Sequence, residues 1–323
     1  MSRTIKLHCS LLSEWLIYRG YKNIFLVLNF FVTFQKGQGF LMININEVKL
    51  FDFTYMDRLT VRSCGKGRIF LSKAAKAQPK APIFVFVHGG YHGAWCFAHY
   101  LEYFDRKGIP TAAIDLRGHG GLKQDTNFHL AGVKEMAIDV VSACTALAGP
   151  PILVGHSLGA LVAAVAGEEI KLMGFGLLAP SPPGQLESLK SLPTVPEGTS
   201  LAPPDQKTCL NKFLAGEIIE NFDPFLEKLC KESPRLLNDR RTLRIHINPH
   251  RFELPSLCLA AERDINALHP VGQDRATATF FGADFYELFD TPHCMMLSSK
   301  WYESAYYLES WYYKVIAIPN HDF

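Results

Sequence analysis

A strand, a tight turn and a helix written without a gap between residues 151 and 166 constrain this chain more than any other feature. Pro151-Ile-Leu-Val154 is an apolar, β-branched run suited to a buried strand, and Ala160-Leu-Val-Ala-Ala-Val-Ala166 is a helix-forming run. Between them stands Gly155-His156-Ser157-Leu158-Gly159. A serine on so short a turn adopts strained backbone angles, and only small residues two before and two after it avoid collision. The turn holds the hydroxyl above the sheet. It also places it at a helix N-terminus, where free N–H groups can steady a developing negative charge. Ser157 is therefore the expected nucleophile.

The same alternation runs through the rest of the chain from about residue 58. Leu59–Ser63 and Arg68–Ser72 flank a Cys-Gly-Lys-Gly turn and read as a hairpin. Pro82–Val87, Thr111–Asp115 and Lys171–Ala179 are continuous apolar runs, the pattern of strands buried on both faces, with helical stretches at about 96–108 and 130–147. The pattern stops over residues 181–254, rich in Pro, Lys and Glu, and resumes at Ser256–Ala260 and Asp284–Phe289 before a last helix at about 299–315. Strand and helix in repetition imply an α/β fold with a mostly parallel sheet covered by helices on both faces. The expected organisation is an extension over 1–57, a core over 58–180 and 255–316, an inserted helical lid over 181–254 and a short tail over 317–323. Within the lid, Leu210, Phe213, Leu214, Phe222, Phe225 and Leu226 recur at helical steps, so short amphipathic helices are expected with one face turned inward.

A serine hydroxyl needs a base to take its proton. His293, in Asp290-Thr-Pro-His-Cys-Met-Met296, lies between the last strand and the last helix, where a loop can bring imidazole over the serine; His269, beside Pro270, is the nearest rival. Asp264 follows the strand ending near Ala260, and the 29 residues separating it from His293 leave room for one helix and one strand. It is preferred as the acid over Glu262, which belongs to the strand-end turn, and Asp290, which is three residues from the histidine. The Gly-rich stretch Val87-His-Gly-Gly-Tyr-His-Gly-Ala-Trp95 follows the first long strand, so the N–H groups of Gly90 and Leu158 are the expected oxyanion donors. Tyr91, His156, Phe213 and Phe225 are the expected substrate contacts. His88, His92 and Trp95, and Arg117 and His119 of Asp115-Leu-Arg-Gly-His-Gly120, read as architectural.

Charge and cysteine content narrow the partners. With 33 Lys and Arg against 31 Asp and Glu, the chain has no field that would recruit nucleic acid or an anionic membrane. Its eight cysteines show no C-x-x-C pair or zinc-ligand spacing and read as buried thiols of a cytoplasmic protein. No dinucleotide fingerprint, phosphate loop or metal motif occurs, so no cofactor and no metal are expected, and the partner is a small-molecule ester. The apolar run Ile24–Phe34 is too short to span a bilayer and lacks a small-x-small cleavage site after it. Residues 1 to about 55 are expected to be an appended segment, dispensable for folding, with a signal or membrane anchor as the lesser alternative.

Over residues 58–316 these motifs, in this order, resemble the α/β-hydrolase superfamily. The resemblance implies acyl transfer through a serine, and it leaves open the C–C hydrolases, peroxidases and weakly catalytic ligand receptors that share the fold. His92-Gly-Ala-Trp-Cys96 is also similar to plant methyl esterases and hydroxynitrile lyases. The lyases typically carry threonine where Gly89 stands and lysine where Cys294 stands, so both departures favour hydrolysis of an ester. A preference for uncharged esters of small to medium size is expected from the apolar face of the lid.

Overall fold

The architecture is set by β3 (Ile83–Val87), whose side chains alternate between two different cores. The computed structural model describes residues 50–187, 189–266 and 268–317, all within the unit Lys49–Phe323. The expectations for residues 1–49, including the Ile24–Phe34 run, and for the tail beyond 317 lie outside the described residues. Ile83, Val85 and Val87 join a core with Val133, Met136 and Val140 of α3 (Val133–Thr145) and Leu161 of α4 (Leu158–Gly167). Phe84 and Phe86 point the other way. They pack with Phe97 and with Tyr100 and Phe104 of α2 (Ala98–Arg106), and Phe84 also meets Trp311 and Tyr312 of α9 (Trp301–Ala317). A strand covered on both faces has no reason to carry polar residues, which is why its sequence is unbroken apolar.

Among the described residues eight strands form one sheet in the order β1-β2-β4-β3-β5-β6-β7-β8. The hairpin β1 (Thr60–Cys64) and β2 (Gly67–Leu71) is antiparallel, and β2 also runs antiparallel to β4 (Thr111–Asp115). From β4 onward, through β3, β5 (Pro151–His156), β6 (Gly174–Leu178), β7 (Ser256–Ala261) and β8 (Asp284–Leu288), every pairing is parallel. Val85 sits between Ala112 and Leu153, and Gly176 lies between Val154 and Leu257. The edge strands β1 and β8 are largely exposed, so they lose the continuous apolar pattern of the centre. Two further helices, α1 (Lys73–Ala77) and α8 (Gln273–Phe280), complete the covering layers.

Between β6 and β7 the chain leaves the sheet for three short helices: α5 (Gln206–Lys212), α6 (Asp223–Lys228) and α7 (Pro234–Arg241). The periodicity foresaw the first two within a few residues. It did not show α7, whose Pro-Arg-Leu-Leu-Asn-Asp-Arg-Arg sequence is polar on nearly every face, yet whose Leu236, Asn238, Asp239 and Arg240 are buried.

The start of the fold differs from the expected boundary at residue 58. Phe51 packs edge-on against Phe222 and lies 5.3 Å from the Phe225 ring, Phe53 lies 4.9 Å from Trp95, and the Tyr55 hydroxyl donates to Asp105. Aromatic residues at every second position make residues 50–57 part of the packed body rather than of a detachable extension.

Candidate active site

The loops that carry the candidate residues all leave the carboxyl ends of parallel strands, where open α/β sheets bind their ligands. Ser157 follows β5 and precedes α4 with φ 53° and ψ −125°, the strained turn its neighbours demand. A Cβ at Gly155 would lie 2.4 Å from Ala160 Cα, and one at Gly159 would lie 2.3 Å from the His88 carbonyl oxygen, so both glycines are obligatory. The Ser157 N–H donates to the Leu178 carbonyl at 3.0 Å, and its carbonyl accepts from the Ser181 and Ala160 N–H groups at 3.0 Å each. The serine is fixed by β6 and the chain beyond it as firmly as by its own turn.

His293 stands in the loop after β8, with its Nδ1 hydrogen-bonded to Asp264 Oδ2. Two backbone bonds hold it: its carbonyl accepts from His156 Nε2 at 3.0 Å, and the next residue, Cys294, donates its N–H to the Phe213 carbonyl at 2.8 Å. Asp264, buried just beyond β7, also accepts from Asn266 Nδ2 at 2.7 Å, and His269 Nδ1 lies 3.5 Å from its Oδ2. Burial alone would push the Asp264 carboxyl up, but the two histidines and these hydrogen bonds outweigh it and hold the acid below its ordinary range. Burial likewise opposes the His269 cation, yet Asp264 and Asp274 raise His269 above its ordinary value. The rival histidine thus shares the carboxylate with His293. Glu262 and Asp290 do other work: Glu262 accepts the Asp290 N–H at 2.7 Å, and Asp290 pairs with Arg263 and Lys300.

The Gly-rich loop is held open by its own histidines. His88 Nδ1 donates to the Gly89 carbonyl at 2.8 Å while its Nε2 accepts the Leu116 N–H, and His92 Nδ1 donates to the Gly90 carbonyl at 2.6 Å. Burial pushes His92 down to about 4, so both rings work as neutral struts. With the two carbonyls drawn aside, the Gly90 N–H has no acceptor among the described residues. Leu158 opens α4, where an N–H has no intrahelical acceptor either. At Gly89 the loop passes so close to the serine that a Cβ would lie 2.9 Å from Ser157 Cβ and 3.1 Å from His156 Nδ1.

Tyr91, the next residue, has φ 66° and donates its N–H to Glu232 Oε2 at 2.8 Å. Glu232, fully buried, comes from the segment between α6 and α7. It also accepts the Ser233 N–H at 2.7 Å and meets His119 Nε2 at 3.0 Å. His119 is therefore architectural as expected, and so is Arg117, which grips Asp139 through two nitrogens at 2.9 Å. Sequence reasoning missed Glu232, since nothing in Lys231-Glu-Ser233 marks it; its role appears only when the inserted segment folds back over the glycines.

Ser157, His293, Asp264, Gly90, Leu158, Tyr91, His156 and Phe213 line one cavity. Phe213 stacks at 6.2 Å from His293. Phe225, expected beside it, is not among the lining residues. It is fully buried against Trp95, Phe222 and His92, since periodicity identifies an inward face but not which interior it meets. The lining residues that sequence reasoning passed over are Ser181, Lys212, Leu237, Arg240, Arg241, Asn266 and Leu268. Asp264, His269 and His293 present ligand atoms within 4.8 Å of one another, but a cation there would have to displace the Asp264–His293 hydrogen bond.

Comparison with known proteins agrees with this fold. The pFDCC methylesterase MES16 of Arabidopsis thaliana is 38% identical over 80 residues, a stretch that covers 24% of this chain and 29% of that relative. The crystal structure of a methylesterase protein MES16 from Arabidopsis superposes with a TM-score of 0.58 at 22% identity, covering 72% of this chain and all of that one. Tomato methylketone synthase I gives 0.58 at 18% identity over 73% and 99% of the two chains, and polyneuridine aldehyde esterase gives 0.56 at 15% over 72% and 99%. At such identities the superpositions speak for the fold. A model described as the alpha/beta hydrolase family matches residues 84–305, well over half of the sequence and the whole span from β3 to the final helix. On that match the chain belongs to the alpha/beta hydrolase family.

Proposed function

We propose that the protein is a serine hydrolase that cleaves a carboxylic ester of small to medium size through an acyl-enzyme. The observation that carries this reading is a serine held at φ 53° at the head of a helix, in one cavity with an imidazole whose other nitrogen is bonded to a buried carboxylate. The relatives named as methylesterases and esterases support the reaction class.

In this mechanism Asp264 fixes the His293 proton on Nδ1 and leaves Nε2 as the base. His293 takes the Ser157 proton as the oxygen attacks the ester carbonyl, and the N–H groups of Gly90 and Leu158 receive the charge that develops on the carbonyl oxygen. His293 then protonates the leaving alkoxide. Water, deprotonated by the same ring, cleaves the acyl-serine and restores the hydroxyl. Phe213, Tyr91 and Leu237 offer the apolar surface beside the serine on which acyl or alkoxy groups rest.

The test is pre-steady-state release of p-nitrophenol from p-nitrophenyl acetate and butyrate. The proposal expects a rapid burst of about one equivalent per active site followed by slower turnover, the sign of an accumulating acyl-enzyme. Turnover that survives in Ser157→Ala would overturn it.

A further inference from the structure

The wall of the cavity supplied by α5 and α7 carries three cations, Lys212, Arg240 and Arg241, beside Leu237. Arg240 is the unusual member, being only 4% exposed. Its Nη2 donates to the Leu268 carbonyl at 2.8 Å and to Gln273 Oε1 at 3.1 Å, both neutral acceptors. Its Nε and Nη1 have no partner among the described residues. Burial, and then the neighbouring Arg241, push the guanidinium down to about 10 against a weak pull from Asp274, so it remains a cation at neutral pH.

A buried charge with idle donors is costly unless something pairs with it. The described lining of the cavity does not supply that partner. Asp264 is the one carboxylate among the described lining residues, and it is committed to His293, His269 and Asn266. Arg241 spends its Nε on the Pro193 carbonyl, and Lys212 has no ion pair among the described residues. Ordered water could satisfy idle N–H groups, but it would not offset three cations on one wall.

We propose that this wall is an anion subsite, and that the preferred substrate is an ester carrying a second, ionised carboxylate away from the bond that is cleaved, as in a monoester of a dicarboxylic acid. The inference rests on the ester-hydrolase reading above and departs from the uncharged substrate expected from the sequence. The lid contributes apolar surface to the cavity through Phe213 and Leu237, and cations through α5 and α7. Charge-assisted hydrogen bonds from a desolvated guanidinium are stronger than those of a neutral donor, so the carboxylate end would dominate selectivity.

The experiment compares the monomethyl and dimethyl esters of succinate, glutarate, adipate and suberate. Binding to Ser157→Ala is measured by calorimetry and turnover with the wild type. For the best chain length the monoester should bind Ser157→Ala about tenfold or more tightly than its diester. Adding Arg240→Gln should lower that ratio by about tenfold, and Arg240→Lys should restore part of it. A diester bound as well as the monoester at every length, or a ratio unmoved by Arg240→Gln, would overturn the subsite. If Arg240→Gln does not fold, a Lys212→Gln, Arg241→Gln pair carries the same comparison, with a drop of about threefold expected from these more exposed charges and an unmoved ratio counting against the proposal. The two readings fail separately. Diester turnover without a monoester preference removes the subsite and spares the hydrolase; monoester binding without turnover of any ester removes the hydrolase and spares the subsite.

Discussion

Replacing Glu232 should disturb both stability and catalysis, because one buried carboxylate holds the glycine loop from outside. Its oxygens receive the Tyr91 and Ser233 N–H groups at 2.8 and 2.7 Å and meet His119 Nε2 at 3.0 Å. Glu232→Ala leaves these three groups without their acceptor in the interior, at about 1–3 kcal/mol each when taken singly. The contacts overlap, so a total of about 3–5 kcal/mol, the usual result of breaking a buried pair, is the better expectation. In a chain of this size that corresponds to a melting temperature lower by roughly 10 °C. The sign of the pH dependence follows from His119. Burial opposes its cation, but Glu232 outweighs burial and raises the imidazole above its ordinary value. A raised histidine stabilises the folded state fully below its unfolded value, about 6.5, and the contribution fades as pH rises through the folded one. Thermal denaturation of wild type and Glu232→Gln from pH 6 upward should therefore show a gap that narrows with pH. In the same variants kcat should fall, by up to ~10²-fold if the Gly90 donor is fully misplaced. A gap that widens with pH, or a Glu232→Ala variant within about 1 kcal/mol of wild type, would refute the reasoning.

Asp264→Asn should lower kcat by about ten-thousand-fold, the effect seen when the acid of a better-known triad is neutralised, while Asp290→Asn should do far less; steady-state kinetics on an activated ester decides the order. Phe213→Ala should reorder kcat/KM across acyl lengths, whereas Phe225→Ala should cost about 3–5 kcal/mol of stability and leave the ranking intact, checked by an ester panel beside thermal melts. A chain beginning at Met56 lacks Phe51, Phe53 and Tyr55 and should melt well below one beginning at Met42, by scanning calorimetry; equal melting temperatures would return the fold's start to residue 58.

The legible parts of this molecule are those where local chain and global fold ask for the same residues. Ser157 could be picked out because the strand, the turn and the helix each leave a mark on adjacent residues, and the central strands were visible because burial on both faces removes every polar residue from them. That His293 and Asp264 would meet followed from where strands end. The inserted segment was much less readable. Helix α7 has few apolar positions because, besides Pro234 and Leu236, its buried side chains are Asn238, Asp239 and Arg240, whose partners lie far along the chain: Asn238 bonds the backbone of Val195, Asp239 accepts the N–H of Val133, and Arg240 donates to the Leu268 carbonyl. Glu232 and Arg240 act through contacts with residues far away in sequence, so no window of sequence contains their meaning. Phe213 and Phe225 show the same limit from the apolar side, for their spacing is alike and only the fold sends one to the cavity and the other to the aromatic cluster around Trp95.

The central claim is that one hydroxyl is activated by the convergence of His293, Asp264 and the glycine loop. Reaction of the full chain with a fluorophosphonate, followed by peptide mass spectrometry, tests it most directly. The account predicts a single phosphonylated serine, Ser157, with labelling abolished in Ser157→Ala and strongly slowed in His293→Ala. Labelling on another serine, or labelling undiminished when Ser157 is replaced, would contradict it.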